Sequence, residues 1–132
     1  MTTLYSVPTT ATFDEAERSR VISAYDVAGA RAKGQLDDIV SFAAELCDAP
    51  VALLSLVEEE YQRFLSRTGT DLEQTPRSMS FCAHAMHHHE VMEVPDARTD
   101  PRFTDNALVT GEPYVRFYAG APLVSSEGVP LG

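Results

Sequence analysis

Residues 80–89 read SFCAHAMHHH and place one thiol, Cys82, and four imidazoles, His84, His87, His88 and His89, within ten positions. Such side chains serve metal ligation, nucleophilic catalysis or cofactor attachment, and spacing separates these uses. His84 with His87, or His84 with His88, shares one face of a helix, as two zinc ligands must. The other ligands are missing. The chain has no HExxH and no second Cys/His cluster, so a third donor would have to be a carboxylate such as Glu90 or Asp96. No native metal site is expected, and His87-His88-His89 suits adventitious nickel or zinc. Cys82 and His84, two positions apart, point about 200° from each other on a helix and cannot form a direct thiolate–imidazolium pair within it. The apolar neighbours Phe81, Ala83 and Ala85 raise a thiol pKa rather than lower it. No catalytic residue is assigned. What fits is packing: Phe81, Cys82, Ala85 and Met86 form an apolar stripe, the three consecutive histidines take a solvated helix end, and His84 faces either a pocket or the core.

Arg116 and Tyr118 make the second candidate pair. On a strand, residues two apart project to the same side, and a guanidinium beside a phenol orients a small polar ligand in an apolar cleft. The structural alternative pairs Arg116 with Asp96 or Asp100 to pin a loop over the sheet. The sequence contains no phosphate loop, Gly-rich dinucleotide turn or nucleophile elbow.

These side chains need elements to hold them. Residues 1–11 show no periodicity and read as a lead-in to one domain over 12–132. Thr12 and Glu15 fit a capping box, which predicts a helix running towards Tyr25 with a thin apolar stripe. Leu36, Ile39, Val40, Ala43, Leu46 and Cys47 follow helical spacing and predict a second helix with Cys47 on its buried face. The helix stops before Pro50. The apolar run 51–57 predicts a strand covered on both faces, and residues 61–67 its hairpin partner across Glu58-Glu59-Glu60. Residues 69–77 read as a loop and Ser78 as the cap of the helix carrying Cys82. A short strand is expected at 91–94, then a loop with a short helix beginning near Pro101. The alternation of Val115, Phe117, Ala119, Ala121 and Leu123 with polar residues predicts a strand from Tyr114 to Val124, one face wholly apolar. Residues 129–132 look like the start of another strand.

Composition narrows the function classes. A chain of 132 residues suits one core. Ten basic against twenty acidic residues give a net charge of −10, which disfavours nucleic acid and anionic lipid as partners. No apolar run is long enough for a membrane span and no signal peptide opens the chain, so the expected location is cytoplasmic. Two cysteines, 35 positions apart, suit reduced thiols.

Taken in order, PVALLSLVEEEYQRFLSRTG, the SFCAHAM helix, VPDARTDPRFTDN and LVTGEPYVRFYAGAPL resemble the GAF domain family of bacterial signalling proteins, over about residues 13–132. The resemblance implies an α/β (α+β) sandwich: a central antiparallel sheet, helices on one side and a loop-covered ligand cleft on the other. It further implies a non-catalytic sensory module that binds a small molecule or dimerises, and so controls an output domain such as a histidine kinase or diguanylate cyclase. By position, the cleft would be lined by Phe64, Cys82, His84, Asp96, Asp100, Phe103, Arg116 and Tyr118. Bilin-binding relatives attach their chromophore through a Cys next to a His; Ala83 intervenes here, as in the chromophore-free version. The family continues past a GxxLG motif with a strand in the middle of the sheet, whereas this sequence stops at Gly132. The ligand is not specified. The alternatives are a thiol-dependent reductase of the same fold, like some free methionine sulfoxide reductases, and a ligand-free interaction module.

Overall fold

The computed structural model describes residues 13–25, 34 and 36–132. The lead-in 1–11 and the expected cap Thr12 lie outside them. The first helix, α1 (Glu15–Ala24), is capped by Asp14, whose Oδ1 accepts from the Ala16 amide at 2.9 Å. Its buried residues are Val21 and, against expectation, Arg18, each 1% exposed. A guanidinium taken out of water must be hydrogen-bonded on every side. Arg18 donates to the carbonyls of Pro130 at 2.8 Å and Leu131 at 3.4 Å, to the carbonyl of Val57, and to both carboxylate oxygens of Glu15. Those acceptors place α1 across the end of one strand and the last turn of the chain.

That strand is β1 (Ala52–Val57), which pairs antiparallel with β2 (Tyr61–Thr68), with an irregularity between Leu54 and Ser55. The acidic turn closes the hairpin, and Arg63 at its base pairs with Glu58 at 2.5 Å. β2 also pairs antiparallel with β3 (Gln74–Pro76), a short strand inside the stretch expected to be a loop. Gly69 enables the turn between them: its φ is +82°, and a Cβ there would collide with the Pro50 carbonyl at the entrance to β1. Helix α2 (Asp37–Leu46) packs on β1 and β2. Only Val40 of its apolar stripe is buried, while Ile39, Phe42 and Leu46 are exposed. Cys47, expected on the buried face, is the C-cap residue and is exposed like most of that stripe.

A 3-10 turn (Arg77–Met79) leads into α3 (Phe81–Ala85), a single short turn. The cap is Ser80, not Ser78: its Oγ accepts from the Ala83 amide at 3.0 Å and donates to Gln62 Oε1 at 2.7 Å. Gln62 in turn donates to Thr75 at 3.1 Å, and all three side chains are buried. This polar ladder joins β2, β3 and the start of α3. A second sheet pairs β4 (Met92–Val94) with β5 (Tyr118–Gly120), antiparallel, and the short helix α4 (Ala107–Thr110) lies between them in sequence. The core under this half holds Phe81, Ala85, Met92, Val94, Ala97, Phe103 and Val109.

Within the expected strand 114–124, the ladder with β4 covers only Tyr118–Gly120, and Val124 makes an isolated antiparallel bridge to Pro130. Upstream, the backbone is spent on irregular bonds, Val115 N–H to Leu108 O at 2.8 Å and Ala97 N–H to Arg116 O at 2.6 Å. Its alternation does not bury the apolar side: Phe117 is 59% exposed. The short helix starts at Ala107, capped by Asn106, instead of near Pro101. Residues 129–132 form one arm of a terminal hairpin: Ser125 and Leu123 exchange backbone bonds with Val129, Leu131 and Gly132, and the Val57 amide donates to Leu131 O at 2.9 Å.

Replacing Arg18 by Leu removes its hydrogen bonds to the carbonyls of Val57 and Pro130 and leaves Glu15 without its buried partner, while Leu131 O keeps the Val57 amide. The unfolding free energy is expected to fall by about 3 kcal/mol, read as a lower urea midpoint.

Candidate functional site

Side chains from α3, the loop after β4, and β5 meet at one end of the molecule. Phe81 and Phe103 stack at 4.1 Å between ring centroids, nearly parallel at 4°. Tyr118 leans on Phe81 at 5.1 Å, and His84 meets the Phe103 ring edge-on at 4.9 Å. The Tyr118 hydroxyl donates to Cys82 Sγ at 3.3 Å. Four of the eight residues expected to line a cleft therefore meet as two pairs, Cys82 with Tyr118 and His84 with Phe103, joined through Phe81.

The local sequence explains the arrangement. Tyr118 and Gly120 sit two apart on β5, on the same face. A Cβ on Gly120 would overlap the phenol, so the missing side chain is the seat over which the ring folds to reach the thiol. Burial and the thiol together hold the Tyr118 phenol well above the usual tyrosine range. The group at this position is a hydrogen-bond donor, not a base.

The expected acids are occupied locally. Asp96 accepts from the backbone N–H, Nε and Nη2 of Arg98, and Asp100 from the same three groups of Arg102. Each is an Asp-x-Arg turn closing on itself. The Arg98 hydrogen bond holds Asp96 down to about 2, and the hydrogen bond from Arg102 lowers the pKa of Asp100. Arg116 does not pair with either acid at salt-bridge distance. Its Nη1 donates to the carbonyls of Val109 at 3.0 Å and Val115 at 3.1 Å, and its guanidinium lies 5.8 Å from the Tyr114 ring centroid. Phe64 is buried in β2. A shallow hollow of about 590 Å³ lies elsewhere, lined by Asp37 and residues 65–71.

Arg102 tilts the electrostatics of two of the histidines. Desolvation, then the Arg102 charge, lowers the pKa of both His84 and His88, with Asp100 partly opposing at His84. The site is poised to hold neutral imidazole at neutral pH. Among the described residues no group of three His, Cys, Asp or Glu side chains gathers as metal ligands.

Arg18, Ser80, Gln62 and Gly120 were not singled out from sequence. The Tyr-x-Gly spacing in YAG was the available signal for Gly120. One of two arginines on a polar helix carries no such mark.

The domain is of mixed α/β type with antiparallel sheets, and its chemistry concentrates in an aromatic and thiol cluster at one end. The chain belongs to the GAF domain family, whose profile matches residues 33–132. It is 42% identical over 119 residues to a cyclic di-GMP phosphodiesterase of Pseudomonas aeruginosa, a match covering 90% of this chain and 20% of that protein's length. In structure it resembles the type II free methionine-R-sulfoxide reductase of Thermoplasma acidophilum, with a TM-score of 0.59 at 16% identity, over 80% of this chain and 71% of that one. At that identity the likeness concerns the fold alone. No helix among the described residues is long and apolar enough to cross a membrane.

Two outcomes follow from the site. In Gly120→Ala the phenol is pushed off its seat and uncovers the sulfur, so Cys82 is expected to react faster with N-ethylmaleimide than in the parent, measured by mass spectrometry with exposed Cys47 as the internal reference. Stability should also respond to the depressed imidazoles. Because His84 and His88 bind protons less readily when folded, the unfolded chain takes up more protons below the ordinary histidine pKa of about 6.5. Their contribution is complete above that value and is lost as pH falls below it. Replacing both with Gln should flatten the urea midpoint between about pH 7 and 5.

Proposed function

We propose that this domain is a non-catalytic sensor that binds a small molecule at the Cys82–Tyr118–Phe103–His84 cluster and thereby controls an attached signalling output. The observation that supports it most is the hydrogen bond from Tyr118 to Cys82: the thiol is held as an acceptor beside a protonated phenol, not activated by a base. His84 touches Phe103 and is not bonded to the sulfur. The aromatic faces suit a planar ligand, and Tyr118 and His84 supply a donor and a titratable ring nitrogen to orient it. Asp96 and Asp100, committed to Arg98 and Arg102, shape the loop and leave ligand contact to their neighbours.

The phosphodiesterase relative supports cyclic di-GMP hydrolysis as the output, ahead of a kinase or cyclase, with the domain acting through its differential affinity for two states of that output. Self-association as a homodimer belongs to the same reading, and exposed Ile39, Phe42 and Leu46 on α2 supply an apolar face for it. A cytoplasmic location completes it.

The reductase alternative is separated by one assay. The 132-residue chain, given free methionine sulfoxide and dithiothreitol, is expected to show no turnover above a Cys82→Ser control; Cys82-dependent turnover would replace the sensory reading. In the longer protein that the reading implies, Tyr118→Ala is expected to change the rate of cyclic di-GMP hydrolysis severalfold without abolishing it. Identical rates would remove the regulatory role.

A further inference from the structure

The segment from Arg77 to His87 carries both Cys82 and His84, and α1 touches it at its two ends. At the leading end, Glu15 receives Arg77 Nη1 at 2.5 Å and Nη2 at 3.3 Å. At the trailing end, the Phe13 ring lies 4.7 Å from the His87 ring. Phe13 and Glu15 are neighbours at the entrance to one helix. Behind both stands Arg18, its guanidinium 5.4 Å from the Phe13 ring centroid and bonded to Glu15. Arg18 in turn carries the connection to the carbonyls of Val57, Pro130 and Leu131.

The segment is also fixed to the sheet, so its freedom is directional. Ser80 is held by Gln62, the Arg77 amide donates to Glu60 O at 2.8 Å, and Arg77 Nη1 also donates to Glu58 O at 3.1 Å. Asn106 holds the Met79 carbonyl at 3.1 Å. Beyond Ser80, α3 has a single turn, and past it the histidines lie at the surface. A group entering beside Cys82 therefore pushes on a short element whose sheet-side anchor is firm and whose other end bears on α1. Packed side chains and hydrogen-bond networks with discrete arrangements are what carry such coupling.

We propose that Phe13 and Glu15 form a two-point grip through which occupancy beside Cys82 is transmitted to α1, and through Arg18 to the end of β1 and the terminal hairpin 123–132. The proposal rests on the sensory reading for its purpose but not for its geometry. Glu15 is the electrostatic half of the grip: its carboxylate joins two guanidiniums that would otherwise repel each other, and its pKa is lowered chiefly by Arg77. Phe13 is the apolar half. With both present, displacement at either end of the segment reaches the same helical turn. Removing both leaves α3 attached to the sheet and α1 attached through Arg18, with no hydrogen bond, ion pair or ring contact among the described residues between α1 and residues 77–87.

The test uses N-ethylmaleimide as the occupant. In a Cys47→Ser background, addition of the Cys82 thiol across the maleimide double bond consumes no other reagent and places a bulky ring at the site. Hydrogen–deuterium exchange is then followed by mass spectrometry. Alkylation is expected to accelerate exchange in Glu15–Ala24 and in residues 123–132 by about fivefold, a typical coupling, with β2 (Tyr61–Thr68) unchanged. Phe13→Ala with Glu15→Gln should cancel the response in α1 while residues 77–87 still respond. The proposal is overturned if α1 is unmoved in fully alkylated protein, or if the double variant responds as the parent does. It is equally overturned if β2 accelerates as much as α1, since the effect is then general loosening. A chain that transmits alkylation, in a longer protein indifferent to Tyr118→Ala, would uphold the grip and remove the sensory purpose.

Discussion

A single buried cation organises one half of this domain. Arg18 is out of solvent, and desolvation lowers its pKa even as Glu15 favours the charged form. A charge so placed is tolerable only when the surrounding groups are already aimed at it. Three carbonyls and one carboxylate satisfy it, and they come from β1, the terminal hairpin and α1 itself. Because carbonyls in a folded backbone cannot move independently, the guanidinium fixes the mutual placement of three segments distant in sequence. A buried apolar residue would fill the space but would not specify it.

The other half is organised by aromatic packing, and the two halves treat charge differently. Around the cluster, Arg98 and Arg102 are each neutralised by an acid two positions earlier. This leaves the loop over Phe103 shaped by short-range pairs that need nothing from the rest of the fold. It also leaves Met92 as a partner for Arg102, whose Nη1 approaches Sδ at 3.3 Å. The imidazoles then sense Arg102 more strongly than they sense Asp100. The chemistry presented at the cluster is a phenolic donor, a thiol acceptor and neutral rings.

Much of this was legible in the residues. The helix over 37–46, the 52–57 and 61–68 hairpin and the strand at 92–94 followed from periodicity and turn chemistry, because each is specified by contacts along its own length. Tyr118 and Cys82 were both named as cleft residues, but their bond to each other depends on Gly120 and on the approach of α3 to β5, which no local pattern encodes. The strand 114–124 failed for the same reason in reverse. Its alternation is real, yet pairing requires a neighbour in register, and β4 offers only Met92–Val94. Arg18 escaped notice because a polar helix places arginines anywhere at little cost; only the carbonyls of residues 57, 130 and 131 make this one special. Ser80 replaced Ser78 as cap because the 3-10 turn inserts before α3, a choice between two serines that spacing alone leaves open.

The exposed side of α2 has a colloidal consequence. Ile39, Phe42 and Leu46 face outward on a molecule carrying a net charge of −10. Copies in dilute buffer are kept apart by long-range repulsion while a short-range apolar attraction waits beneath it. Added electrolyte shortens the reach of the repulsion and leaves the attraction intact. The proposed self-contact through this side would therefore be of the kind that ionic strength promotes, the reverse of an ion-paired interface, which salt dissolves.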